Sequence, residues 1–359
     1  MGKLNRWWLA VISTVTLLVV ISACGNNPAT EADIDFPSAL GQAAGGREAL
    51  EAALAGTMTI DGSSTVFPVT TVMAKTFQKI HPGVHFTIGV SGTGGGFKKF
   101  CAGETDISGA SRPINAAEVE LCKTNNINYI ELPIAFDSLS VVVHPQNAFA
   151  NCLSVAELKR IWEPAVQNNI THWNQVRASF PHQPLVLYGP GHESGTFDYF
   201  TLAIVGGEGK SRSDYTASED DVVLVDRVSS HTYGLGYFGY AYYLANRNRL
   251  KAVAIDSGYG CVLPSPHAVA DSSYQPLSRP IFIYVKQSAA ARPEVKAFTD
   301  FYLNPENANL LMQAGYVPLP TLTLRSAQSR FNRNMTGSMF GGTGSVLGVS
   351  QAGLHERGQ

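Results

Sequence analysis

Three short turns rich in serine, threonine and glycine carry groups that could bind an anion. They are DGSSTVFP at residues 61–68, SGTGGGF from Ser91 and HESGTFDYF from His192, and each lies between a strand-like run and a helical pattern. The first turn of a helix has unpartnered backbone N–H groups and a partly positive dipole end, which stabilises an anion by roughly 0.3–1 kcal/mol. The three turns together predict a site for a small tetrahedral oxyanion. Because serine and threonine are common N-caps, any one turn alone is equally typical of a structural cap.

One arginine adds positive charge near these turns. Arg112 follows a short apolar strand in ETDISGASRPI, and the proline after it keeps its backbone extended. A guanidinium can hold two oxyanion oxygens at once, so we predict that Arg112 contacts the ligand. The alternative is a surface arginine paired with Glu104 or Asp106, an interaction of little energetic consequence.

The elements that must position these groups follow from the apolar pattern. From residue 57 onward, short apolar runs alternate with helical patterns, which predicts an α/β fold with mostly parallel sheets. The clearest helix begins near Pro68 and is stopped by Pro82-Gly83. Another begins at Ser154, which with Glu157 makes a capping box.

The first 24 residues have the form of a bacterial lipoprotein signal. Lys3 and Arg6 precede an apolar run that ends in Ile-Ser-Ala before Cys24. We expect residues 1–23 to be removed and Cys24 to carry lipid, which places the protein in the periplasm or on the cell surface, anchored to a bacterial membrane. The alternative, an uncleaved anchor, needs about 20 apolar residues, and this run is short. The composition of residues 24–56 predicts a flexible tether.

Charge and cysteine content narrow the function classes. The formal net charge is −2, and loss of the signal makes the chain more acidic, so we expect no nucleic-acid partner. Four cysteines besides the one in the signal indicate disulfides in an exported protein. We favour Cys101–Cys122 and Cys152–Cys261, although the sequence permits three connectivities. A zinc site is disfavoured because no Cys-x-x-Cys occurs, and we expect no metal or cofactor.

Near the C-terminus lies a glycine-rich stretch, FGGTGSVLG, which follows a weak helical pattern. It lacks the lysine of a nucleotide-binding loop, and no strand or helix frames it. We therefore expect residues 331–359 to form a mobile C-terminal tail.

Six segments in order carry a resemblance to a known family, and together they extend from about residue 57 to 342. They are DGSSTVFPV, SGTGGGFKKFCAGETDISGASRPI, SGTFDYF, SEDDVVLV, GLGYFGYAYY and AGYVPLP. The chain resembles the PstS/SphX family, the extracytoplasmic phosphate receptors of bacterial ABC importers. The resemblance implies a type II periplasmic-binding-protein fold, a monomer whose two α/β lobes close on one phosphate at the hinge. Lobe 1 would be residues 57–136 plus 272–330, and lobe 2 residues 137–271.

The resemblance also implies a ligand set and, as partners, phosphate and the membrane subunits of an importer. The implied phosphate contacts are Ser64, Thr65, Val66, Thr93, Gly94, Arg112, Ser194, Gly195 and Thr196. The best-known branch of the family has an arginine and an aspartate before its Ser-Gly-Thr, where this chain has Pro190 and His192. It also has an aspartate where this chain has Arg112, so the carboxylate that accepts the phosphate proton is open.

Two carboxylates are candidates for that proton acceptor. Glu193 is the first, because it adjoins Ser194 and would reject sulfate, which has no proton to donate. Asp61 is the second. Either could instead serve as a carboxylate that stabilises the start of a helix.

Other functions remain as alternatives. A serine hydrolase using His192 and Ser194 is disfavoured because HESGT is not the Gly-x-Ser-x-Gly elbow, and a metal phosphatase would need clustered aspartates and histidines, so we expect no enzyme. A receptor for sulfate, molybdate or an organophosphate would also use neutral donors. A sensor or surface phosphate buffer, which supplies no transporter, is the remaining class.

Overall fold

The computed structural model describes residues 54–358. The predicted signal peptide, the lipidation of Cys24 and nearly all of the tether lie outside these residues. The strands are β1 Ala55–Gly62, β2 Gly83–Ile88, β3 Ile107–Ala110, β4 Tyr129–Val143, β5 Cys152–Ser154, β6 Val186–Pro190, β7 Thr216–Ser218, β8 Gly234–Gly239, β9 Lys251–Ala252, β10 Ala254–Asp256, β11 Cys261–Val262, β12 Ser278–Lys286 and β13 Val317–Pro318.

Helices alternate with these strands, and a short π-helix, Thr201–Val205, continues one of them. None of the helices within residues 54–358 is both long and apolar enough to cross a bilayer. The α-helices are α1 Phe67–Ile80, α2 Gly92–Cys101, α3 Ala116–Thr124, α4 Val155–Trp162, α5 Trp173–Val176, α6 Gly195–Phe200, α7 Asp221–Ser229, α8 Tyr240–Ala245, α9 Pro266–Ala270, α10 Gln287–Ala290, α11 Pro293–Leu303, α12 Ala308–Gln313, α13 Thr321–Asn332 and α14 Gln351–Arg357.

Strand β4 joins the two halves of one large sheet, whose order is β2-β1-β3-β12-β4-β8-β6-β7. The outer pairs, β1 with β2 and β3 and β6 with β7 and β8, are parallel. At the centre, β4 runs antiparallel to both β12 and β8. The α/β class is therefore confirmed, but the prediction of mostly parallel sheets was wrong, because the chain returns through the centre on reversed strands.

Each half of the sheet has its own apolar core. Helices α1, α2 and α11 pack around one half with residues such as Phe77, Phe97 and Phe298. The other half is centred on Trp162 and Tyr237. We call these halves lobe 1 and lobe 2. Their residue boundaries were inferred from the resemblance and stay a prediction.

Local signals in the sequence account for several elements. Helix α1 has Pro68 in its first turn, where a missing N–H costs nothing, and it ends before Pro82. The capping box of α4 is present, because Ser154 accepts from the Glu157 amide while the Glu157 side chain accepts from the Ser154 amide. These local predictions are confirmed.

Both predicted disulfides are present, Cys101–Cys122 and Cys152–Cys261. The first joins α2 to α3 in lobe 1. The second joins β5 to β11 in lobe 2. Each closes a loop within one lobe and leaves the hinge between lobes free of covalent cross-links among the described residues.

The C-terminal segment differs from the prediction of a mobile tail. After α13 the chain continues along lobe 1, where Phe340 is buried against Phe282 at a ring-centroid distance of 5.6 Å. Leu354 in α14 is fully buried. The glycine pattern suggested mobility, but the side chains between the glycines have buried partners elsewhere in the chain.

Candidate functional site

The three hydroxyl-glycine turns meet between the lobes. The Oγ1 atoms of Thr65 and Thr196 are 2.9 Å apart, and Thr93 Oγ1 lies 3.2 Å from Ser111 Oγ. A Cβ atom added to Gly195 would come within 2.6 Å of Thr93 Oγ1 and 2.7 Å of Ser111 Oγ, so this approach requires glycine. All five residues are buried. The convergence predicted from the sequence is confirmed, whereas binding of an anion there stays a prediction.

The first turn is fixed by two tyrosines. Tyr242 donates its hydroxyl to Ser64 O at 3.0 Å, and Tyr316 donates to Thr65 O. Val66 is the N-cap residue of α1 and, having no side-chain oxygen, caps no amide. The turn is therefore held by the carbonyl oxygens of Ser64 and Thr65.

The second and third turns contact each other through their backbones. Gly94 donates its amide to Glu193 O at 2.8 Å. Ser194 caps α6 by accepting from the Thr196 amide at 3.1 Å. The Gly94 bond links lobe 1 to lobe 2 directly.

A buried arginine that the sequence analysis missed lies where the first and third turns meet. Arg279, on β12, is 1% exposed. Its Nη2 donates to Thr196 Oγ1 at 2.8 Å and to Thr65 Oγ1 at 3.2 Å, and its Nη1 donates to Gly195 O at 2.8 Å. One guanidinium thus contacts turns from both lobes.

Arg279 pairs with Asp137, its register partner on β4. Asp137 Oδ2 accepts from Nε at 3.4 Å and from Nη2 at 3.3 Å, while Oδ1 has no hydrogen-bond partner among the described residues. Burial raises the pKa of Asp137 to about 6, and Arg279 limits that rise. Each of the two is a lone charge within an apolar strand run, in AFDSLSVVV and SRPIFIY. That was the signal available in the sequence, because a buried charge needs a partner.

A second buried carboxylate borders the first turn. Asp221, the first residue of α7, is 1% exposed, and neither of its oxygens makes a well-formed hydrogen bond within residues 54–358. Burial raises its pKa to about 7, and the nearby Ser64 hydroxyl opposes this rise. The sequence analysis did not single it out.

Arg112 is buried in a junction between the lobes. Its Nη1 and Nη2 each donate to a different oxygen of Glu118 at 2.8 Å, and its Nε donates to Asp198 Oδ2 at 2.7 Å. Glu118 belongs to α3 in lobe 1 and Asp198 to α6 in lobe 2. The contact of Arg112 with a ligand stays a prediction.

The electrostatics of this junction follow from burial. Burial lowers the pKa of Arg112, but Glu118 and Asp198 more than offset this and hold it above its ordinary value. Burial raises the pKa of Asp198 to about 6, and Arg112 opposes that rise. The alternative of a surface arginine is wrong, because Arg112 is 3% exposed and Asp106 pairs with Arg292 instead.

The two carboxylates proposed from the sequence as proton acceptors have other partners. Glu193 has a side chain 41% exposed and pairs with Lys98 at 2.6 Å. Asp61 accepts from Ser91 and pairs with Lys99 at 2.7 Å. Their role as acceptors stays a prediction. Within the described part of the chain, no cluster of His, Cys, Asp and Glu is arranged to hold a metal ion.

Comparisons with known proteins agree with this architecture. A family model described as a PBP superfamily domain matches residues 48–306. The chain is 51% identical to protein SphX of Synechocystis over 284 residues, 79% of this chain and 84% of that protein. It is 32% identical to the phosphate-binding protein PstS of Staphylococcus haemolyticus over 326 residues, 90% of this chain and 95% of that protein. The chain belongs to the SphX/PstS family.

Two solved structures are also similar to this chain. A protein from Planctomyces limnophilus, described as a possible phosphate binding protein, is 43% identical to this chain, with a TM-score of 0.57. The alignment covers 79% of this chain and all of that protein. A protein from Clostridium perfringens, solved with bound phosphate, is 25% identical to this chain, with a TM-score of 0.63. The alignment covers 74% of this chain and all of that protein. The SphX/PstS chain therefore has the fold of a periplasmic-type binding protein.

Proposed function

We propose that this chain binds inorganic phosphate outside the cytoplasm and delivers it to an ABC-type importer. The observation that carries the proposal is the buried contact of Arg279 with the hydroxyls of Thr65 and Thr196, which come from different lobes. A ligand can bond to Arg279 and to both hydroxyls at once only where the two lobes meet. The names of the relatives and the phosphate bound in the Clostridium perfringens structure support the choice of ligand.

Phosphate would be held mainly by neutral donors. Hydroxyls and helix-start amides would replace its water shell, with one guanidinium supplying charge-assisted bonds. The bonds now made between Thr65 and Thr196 would be exchanged for bonds to phosphate oxygens. We assign these contacts to Ser64, Thr65, Val66, Thr93, Gly94, Ser194, Gly195 and Thr196, the residues that the family resemblance implies, together with Arg279; Arg112 is tested separately.

The carboxylates near the site favour an anion that carries a proton. Asp137 and Asp221 are buried close to the turns, and a fully ionised anion would be repelled by both. We assign the acceptor role to Asp221, because it is buried beside the Ser64 hydroxyl and neither of its oxygens makes a well-formed hydrogen bond among the described residues, whereas Glu193 is paired with Lys98 at the surface. Sulfate, without a proton, would leave Asp221 unmatched.

The finer parts of the proposal concern location and partners. The signal pattern before Cys24 supports a lipid anchor on that residue, and a monomer would suffice because one chain supplies both lobes. No catalytic role is proposed for His192, whose ring packs against Phe197 at 4.8 Å. The turns and the buried pair act in recognition.

Calorimetric titration of the full-length chain with phosphate and with sulfate tests both ligand and acceptor. Phosphate should bind at least about 100-fold more tightly than sulfate, because the acceptor discriminates by a hydrogen bond. Asp221→Asn should narrow this ratio by about 10-fold or more, and Glu193→Gln should leave it within about 3-fold. Equal binding of both anions would contradict the proposal, and the reverse ranking of the two variants would return the acceptor role to Glu193.

A further inference from the structure

The C-terminal residues 337–345, which we call the strap, contact both lobes. This segment lies after α13 and before α14. Its contacts with lobe 1 are buried and specific, whereas its contact with lobe 2 is made at one carboxylate.

The strap is fixed to lobe 1 by a buried glutamate. Glu131, on β4, is fully buried and accepts from Ser338 Oγ and from the Met339 amide, both at 2.8 Å, and from the Tyr284 hydroxyl at 2.5 Å. The Gly337 amide donates to Tyr129 O at 2.9 Å. Because a buried carboxylate needs these donors, separating the strap from lobe 1 is costly.

The far end of the strap reaches lobe 2. The Gly344 amide donates to Ile114 O of lobe 1 at 3.2 Å. The next residue, Ser345, donates its hydroxyl to Glu208 Oε1 at 3.0 Å and its amide to the same oxygen at 3.4 Å. Glu208 follows the π-helix of lobe 2, so these two bonds cross from one lobe to the other.

Glu208 also joins the charged junction around Arg112. Its Oε1 lies 3.5 Å from Arg112 Nε, the same atom that donates to Asp198. Glu208 Oε1 of lobe 2 therefore contacts both Ser345 of the strap and Arg112 of lobe 1. Opening of the cleft would separate Glu208 and Asp198 from partners that are anchored to lobe 1.

We propose that the strap stabilises the closed arrangement of the two lobes by presenting Ser345 to Glu208. The strap's own hydrogen bonds, to Glu131, Ile114 and Glu208, lie outside the three hydroxyl-glycine turns, so they act on the relative position of the lobes. The strap therefore favours closure before any ligand binds. If the proposed function holds, the strap also slows release of phosphate.

The inter-lobe bond from the Gly94 amide to Glu193 O provides a reporter of opening. Hydrogen exchange of the ligand-free full-length chain measures how often this bond breaks. Glu208→Ala should speed exchange of the Gly94 amide by about 10-fold, because bonds to a charged acceptor are lost. Glu356→Ala, an exposed residue of α14, is the matched control and should leave the exchange rate unchanged.

Ser345→Ala separates the strap from the Arg112 contact. It should speed Gly94 exchange by about 3-fold alone and add little in the Glu208→Ala background, because both changes remove the same bond. Exchange in the core of β4 monitors folding and should stay slow in every variant. Unchanged Gly94 exchange in Ser345→Ala, or full additivity of the two changes, would overturn the proposal. Because the exchange experiment contains no phosphate, its outcome does not depend on whether the proposed function is correct.

A phosphate release experiment adds the functional consequence. In stopped-flow dissociation with inorganic phosphate, Glu208→Ala should release the ligand about 10-fold faster than Glu356→Ala. If Gly94 exchange is faster in Glu208→Ala but the chain binds no phosphate, the effect of the strap on closure is supported and phosphate is excluded as the ligand. Phosphate binding with equal release from both variants would refute the strap's effect on the ligand.

Discussion

The hydroxyl oxygens of Thr65 and Thr196 lie 2.9 Å apart, although 131 residues separate them in the chain. Thr65 precedes α1 in lobe 1, and Thr196 lies in the first turn of α6 in lobe 2. Arg279 donates to both. These three side chains come together only when the lobes are together, so a ligand bound by all three, as we propose, would couple binding to closure.

Removing one of these hydroxyls should weaken phosphate binding without unfolding the protein. Thr196→Val keeps the side-chain shape and removes the oxygen that accepts from Arg279. We expect the affinity to fall about 10-fold, measured by calorimetry. Thr70→Val is the control, since it removes a buried hydroxyl bonded to Tyr302 at 3.2 Å in the core of lobe 1. Equal losses of affinity in both variants would argue against a direct contact.

The buried pair of Arg279 and Asp137 should be coupled in stability. Arg279→Met and Asp137→Leu should each lower the free energy of unfolding by about 3–5 kcal/mol, because each leaves the other charge buried and unpaired. The double variant should lose less than the sum, with a coupling of about 1–3 kcal/mol in denaturant unfolding. Strict additivity would mean that the two side chains do not act as a pair.

Asp221 should make stability depend on pH. Its pKa is about 7 in the folded chain against an ordinary 3.8, so the folded state binds more protons between about pH 4 and 7. The contribution of Asp221 to stability is therefore fully present below about pH 4 and lost as the pH rises through about 7. Asp221→Asn should consequently be more stable than the wild type by about 2–4 kcal/mol at pH 8, with the gain vanishing near pH 4.

Thermal unfolding between pH 4 and 8 measures this difference. Asp220→Asn is the neighbouring control, because Asp220 is exposed and caps α7 by accepting from the Val222 amide at 2.9 Å. Asparagine is an equally good cap, so that variant should show no such trend. A gain for Asp221→Asn that does not vary with pH would contradict the assignment.

Arg112→Ala should reduce both stability and affinity. Loss of the guanidinium leaves the buried Glu118 and the partly buried Asp198 without their cation, which should cost about 3–5 kcal/mol of unfolding free energy. Phosphate binding should weaken by about 2 kcal/mol or more. Arg177→Ala, which breaks an ion pair with Glu157 inside lobe 2, should leave the affinity unchanged. A folded Arg112→Ala with the wild-type dissociation constant would remove Arg112 from the ligand set.

The sequence could predict what depends on local pattern. The three turns, the capping box at Ser154 and the start of α1 at Pro68 follow from side-chain and backbone preferences within a few residues. The expectation of export indicated disulfides, and the pairing that the sequence analysis favoured among three connectivities is the one present. These features needed no knowledge of which strands pair.

The parts that could not be predicted depend on strand register and on distant partners. Arg279 and Asp137 are 142 residues apart and meet only because β12 and β4 run antiparallel in one register. The bond from Arg112 to Asp198 of the other lobe could not be predicted either, because 86 residues separate the two in the chain. The strap looked mobile because its buried acceptor, Glu131, lies about 200 residues before it.

The most direct test of the central claim is a crystal structure of the full-length chain grown with phosphate. The account predicts one tetrahedral anion between the lobes, within about 3.2 Å of Thr65 Oγ1, Thr196 Oγ1 and Arg279 Nη2. Phosphate bound elsewhere, with those three groups still bonded to one another, would contradict it.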